Sequence, residues 1–165
     1  MDKTFLTSFV TAATLALSTA AFAQQPGPPP SPPQYGTPIA LELAKKAIAA
    51  AEAEAKKNNW GMNIAVVAPS GDLIAFERMD TAQYASISIA QHKARTAARF
   101  RRPTKALQDG LAANNIYLLT LDDMIGSEGG IPIIQEGKLV GAMGCSGGTG
   151  DQDAVACKAG TSAIM

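Results

Sequence analysis

The sequence predicts an α+β fold, a predominantly antiparallel sheet flanked by helices. Two pairs of apolar runs carry that prediction first. Met62–Ala68 is joined to Leu73–Met79 by Pro69-Ser70-Gly71-Asp72, and Ile131–Ile134 is joined to Leu139–Met143 across Glu136-Gly137. Strands linked by turns this short must run antiparallel. Helical periodicity is the second observation, recurring before, between and after these hairpins. The third is the order itself. Hairpins follow one another with helices outside, rather than alternating strand–helix–strand as a parallel sheet requires.

Residues 1–23 read as an export signal. Lys3 supplies the positive start, Phe5–Leu17 the apolar stretch, and Ala21-Phe22-Ala23 the cleavage pattern, with the cut after Ala23. The mature chain is then periplasmic or secreted, retains no stable membrane span, and enters a compartment that permits disulfides. Residues 24–36, QQPGPPPSPPQYG, read as a stiff proline-rich linker with nothing to pack. The folded domain spans 37–165. Net charge is zero and charged residues make up only 17% of the chain, which argues against a nucleic-acid binder working by phosphate neutralisation.

Within the domain, Thr37-Pro38 offers a hydroxyl cap and a first-turn proline for the opening helix. Leu41, Ala44, Ala47, Ile48, Ala51 and Ala55 give that helix an apolar stripe, and Asn58-Asn59 ends it. The second helix, Ala85–Phe100, has a stripe of Ile87, Ala90, Ala94, Ala97 and Ala98. Its basic flank is His92, Lys93, Arg95 and Arg99, extended by Arg101 and Arg102. Pro103 ends that run, a short helix covers Thr104–Ala113, and Ile116–Leu121 reads as a short strand. Gln152–Ile164 is the last helix, with Asp151 and Asp153 at its positive end.

Chemistry concentrates in two places. The second hairpin is bracketed by Glu128-Gly129-Gly130 and by the glycine-rich exit from Cys145 to Asp151, which let backbone approach another group closely. Cys145 ends a strand and Cys157 lies on the helix that folds back along it. A disulfide is the favoured reading in an oxidising compartment, with two buried thiols as the alternative. Neither a CxxC redox pair nor a CxxCH haem attachment is present. Ser146 lacks the GxSxG context and the glycine cluster lacks a P-loop lysine. His92 is the only histidine, so a His-rich zinc or di-iron site is excluded by count. With Lys93, Arg95 and Arg99 beside it, it could serve as an axial ligand to haem iron while the cations hold propionates. A solvated basic face is the plainer reading. Glu128, Asp151 and Asp153 could form an acid–base or hard-metal site, or simply be turn and helix-start acids.

The segments FERMD, KARTA, RPTKAL, EGGIPI and SGGTGDQD, in that order, resemble the GlcG/HbpS family over nearly all of 37–165. The resemblance implies a profilin-like fold with a five-stranded antiparallel sheet between helices, and a homo-oligomer. It implies haem or a related tetrapyrrole as cofactor and partner; the residues place the expected pocket between the second helix's basic face and the Glu128–Gly130 mouth. Sequestration or sensing is the expected role. Haem breakdown or another small-molecule redox reaction is the enzymatic alternative, and a corrinoid or small-acid binding module is a third. No catalytic residue is assigned.

Overall fold

A computed structural model describes residues 31–165, so the expected signal segment and most of the linker lie outside the described residues. The elements run β1 (Gln34–Tyr35), α1 (Leu41–Lys57), β2 (Asn63–Val67), β3 (Leu73–Arg78), α2 (Ala85–Arg99), α3 (Thr104–Ala112), a 3₁₀ turn (Ile116–Thr120), β4 (Gly130–Gln135), β5 (Lys138–Ser146) and α4 (Gly150–Ser162). The architecture is the expected α+β one, four helices around a five-stranded sheet.

β5 is the hub of the sheet. It pairs antiparallel with β2 from Asn63↔Ser146 to Val67↔Ala142, and along its other edge with β4 from Gly130↔Gly144 to Gln135↔Lys138. β3 extends the sheet beyond β2. β2 is buried at every position because helices cover both of its faces. Ile64 and Val66 join Met143 and Cys145 under α1 and α4, whereas Ala65 and Val67 join Ala142 under the alanines of α2. This is why the run reads as continuously apolar rather than alternating. Gly144 lets α2 settle onto β5, since a Cβ there would collide with backbone at Ala90 and Ala94.

Three expectations are corrected. The fifth strand is not Ile116–Leu121, which forms the 3₁₀ turn. Of its side chains only Leu118 is buried, against α3 at Gly110, while Ile116, Tyr117 and Leu119 are about two-thirds exposed. One buried residue per turn suits a 3₁₀ segment and gives a strand no face to pack. The fifth strand is instead β1, from the expected linker. It runs parallel to β5 through Gln34↔Lys138 and Tyr35↔Leu139, so the sheet is mixed. Tyr35 also donates its hydroxyl to the Arg99 carbonyl at 3.0 Å, and the Arg101 guanidinium lies over its ring at 5.2 Å. Finally, α1 begins at Leu41 rather than at Thr37-Pro38. The amides of Gly36 and Ile39 donate to the Leu139 and Val140 carbonyls at 2.8 Å each, holding this stretch along β5 until Ala40.

Candidate functional site

The Glu128–Gly130 mouth is held by backbone contacts from two sides. Glu128 N–H donates to Gln108 Oε1 at 2.8 Å, Gly130 N–H to Thr104 Oγ1 at 2.9 Å, and the Gly129 carbonyl accepts from Cys145 N–H at 2.9 Å. The Thr104–Gln108 stretch of α3 and the end of β5 thereby fix the loop. Gly129 has φ of 119°, and a Cβ there would stand 2.7 Å from both the Cys145 carbonyl and the Asp153 side chain. Glycine is required on both counts.

Behind this loop lies an ion pair that spacing alone did not separate from the basic flank. Lys93 Nζ stands 2.6 Å from Asp153 Oδ2, with the residues 1% and 2% exposed. Asp153 Oδ1 also accepts from Gly148 N–H at 2.9 Å. Burial pushes the Asp153 carboxyl above its ordinary range, opposed by Lys93 and by that amide. Thr149 and Gln152 cap α4 reciprocally, so the SGGTGDQD exit is a helix-capping turn that also delivers Asp153 to its partner. Lys93 therefore does not belong to the exposed basic flank. The signal was available: Lys93 lies three residues after Ala90 and four before Ala97, on the buried stripe.

The rest of that flank gathers elsewhere. His92 Nε2 lies 3.7 Å from Asp123 Oδ1, Arg95 Nη1 lies 3.6 Å from the same oxygen, and Arg99 pairs with Asp123 Oδ2. These side chains are more than a third exposed, and His92 Nε2 has no hydrogen-bond partner. Asp123 was missed by sequence reading. Its left-handed φ of 63° is set by a loop with no motif.

A cavity of about 520 Å³ opens between the mouth and the outer side of α4. Pro103, Ile131, Pro132, Ala154 and Val155 give it apolar walls; Lys105, Lys158, Glu128 and Asp151 supply its charges; and Met165 supplies its sulfur. Of the expected site residues it collects Glu128, Gly129 and Gly130. Lys93 sits behind the wall at Gly129, and His92, Arg95 and Arg99 are not among the lining residues. Lys105 and Lys158 went unnoticed as isolated surface lysines in the sequence. Glu128 Oε2 is buried with no partner. Burial raises the Glu128 carboxyl above its ordinary range; Lys105 opposes this and Asp151 adds to it. A second cavity, of about 750 Å³, lies between Gly36–Ala40 and the β4–β5 turn, and brings together no comparable set of charges. Cys145 and Cys157 are disulfide-bonded, Cα to Cα 5.6 Å, tying the end of β5 to α4 within the core.

Fold and site together define a profilin-like scaffold with a ligand-sized, apolar, lysine-rimmed cavity beside its central hairpin. The chain belongs to the HbpS-like family, described as haem degrading protein HbpS-like, whose model matches residues 39–162. It is 39% identical to protein GlcG of Escherichia coli strain K12 over 108 residues, covering 66% of this chain and 81% of that one. The crystal structure of a double mutant of Streptomyces reticuli HbpS superposes with a TM-score of 0.73 at 30% identity, covering 90% of this chain and 99% of that one. The crystal structure of a PduOC:heme complex shares the fold, with a TM-score of 0.71 at 23% identity, over 78% of this chain and 96% of that one.

Proposed function

We propose that this is an exported protein that binds haem or a related tetrapyrrole in the cavity at the Glu128–Gly130 mouth, to sequester or sense it. The carrying observation is the pairing of apolar walls at Ile131, Pro132 and Val155 with two cations, Lys105 and Lys158, in one cavity. A flat apolar macrocycle bearing carboxylates needs that combination. The donor set also fits. Met165 offers a thioether, and the unpartnered Glu128 oxygen offers a polar contact. Bound haem would supply the redox-active iron; the chain's residues seat it, pair its carboxylates and keep water from its apolar face. The family description and the related PduOC:heme complex support this choice of ligand. Export is supported by the residues 1–23 pattern and by the buried disulfide. No helix among the described residues is long and apolar enough to cross a membrane. Self-association belongs to the same reading, from the resemblance to the family.

Titrating the protein with hemin tests this. A saturable Soret shift at one equivalent is expected, weakened by K105A/K158A; a flat titration sinks the proposal. Haem breakdown is a second reading, favoured by the family description and by the carboxyl at the mouth. A defined tetrapyrrole product formed with reductant in the presence of catalase would establish it over passive binding.

A further inference from the structure

The Glu128 carboxyl lies at the mouth of the cavity beside a second carboxyl, Asp151. Its backbone is clamped to Gln108, and Oε2 is buried without a partner. Charged groups face it from two elements: Lys105 and Asp109 on α3, and Asp151 in the first turn of α4. Lys158 lies further along α4 on the same wall, and β4 contributes the apolar Ile131 and Pro132. Lys105 spends one of its three donors on Asp109, its Nζ 2.5 Å from Oδ1, and keeps the others for a ligand. With Lys105 and Asp109 offsetting one another, an ionised Glu128 would add a second negative charge beside Asp151 and would repel a ligand carboxylate. A protonated Glu128 has an O–H to donate and no charge to desolvate.

Resting on the tetrapyrrole-binding reading, we propose that Glu128 is a proton-coupled ligand contact. It meets the carboxylate of an anionic, apolar ligand in its acid form, so that binding takes up one proton. Lys158 supplies a cation in that wall, and Glu128 a donor that is present only when protonated. The ordinary value of a glutamate lies too low for this at neutral pH. The direction in which burial and Asp151 move Glu128 brings it toward the range where the coupling operates.

The test is hemin binding to the whole protein, followed by the Soret band as pH is raised from the ordinary glutamate range through neutrality. Wild-type affinity should fall as pH rises, by up to about tenfold per unit for one proton taken up. E128Q keeps an N–H donor and cannot ionise, so its affinity should be flatter by that same slope. H92Q should keep the wild-type slope, which separates Glu128 from the imidazole on the Asp123 flank of α2. Wild type and E128Q with equal slopes would overturn the proton coupling while leaving haem binding intact. Wild type with no saturable Soret change at any pH would overturn the binding reading and this proposal with it.

Discussion

The two flanks of α2 carry similar charges into opposite surroundings. On one, Lys93 and Asp153 form a single pair sealed between α2 and α4, with Gly148 donating a further bond. On the other, His92, Arg95 and Arg99 share Asp123 in the open, each more than a third exposed. His92 and Lys93 are neighbours in sequence, yet only one of them is structural. The difference teaches that burial, not charge count, sets what a basic residue is worth here. The sealed pair holds up the wall of the cavity; the open cluster is screened by water and salt.

Removing one partner of the sealed pair should produce the largest effect. K93M leaves Asp153 buried and uncompensated, and should cost about 3–5 kcal/mol of stability in urea unfolding. K93M/D153L should recover most of that loss, because an apolar pair of similar volume is often neutral there. A K93M loss no greater than that of an exposed-pair variant would erase the distinction between the flanks.

A smaller effect concerns pH. Burial holds the folded Glu128 carboxyl above its ordinary range, so the unfolded chain ionises first as pH rises past about 4. The folded state then loses relative stability until its own carboxyl ionises. E128Q abolishes that term. It should unfold at higher urea than wild type at neutral pH, with the advantage shrinking on acidification. Asp153 shifts in the same direction but is present in both proteins, so it leaves the difference untouched.

The smallest effects belong to the open cluster. D123N should change stability by less than about 1 kcal/mol, and less still in high salt. H92A should leave the Soret band of the hemin complex unchanged if the ligand sits at the mouth; an altered band would move the iron to the Asp123 flank.

Much of the fold was legible because periodicity reports burial. The double-sided run of β2 and the alanine stripe of α2 both read correctly, and their residues form the two cores. Ile116–Leu121 misled because four apolar residues in six suggest a strand, and only tertiary contact at Gly110 shows that just Leu118 has a place to go. β1 was illegible for the complementary reason. Gln34 and Tyr35 are exposed and carry no pattern, and a parallel pairing with β5 more than a hundred residues away is specified by the partner's edge. In the site, the mouth was legible through its glycines. The Lys93–Asp153 pair spans 60 residues, and only the stripe position of Lys93 hinted at it. Lys105 and Lys158 acquire meaning only once α3 and α4 face the same cavity.

The strand contributed by Gln34 and Tyr35 also bears on how the protein can be handled. A chain trimmed to start at Thr37 would keep every helix but strip one of the two partners, β1, from the Lys138–Leu139 end of β5, leaving only β4. That would leave the Leu139 carbonyl without its Gly36 partner and that edge of the strand end open to pairing with another chain, a recognised route to self-templated aggregation. Material shortened in this way would tend to precipitate for a reason unrelated to its ligand, and where the polypeptide is cut decides whether its chemistry can be studied at all.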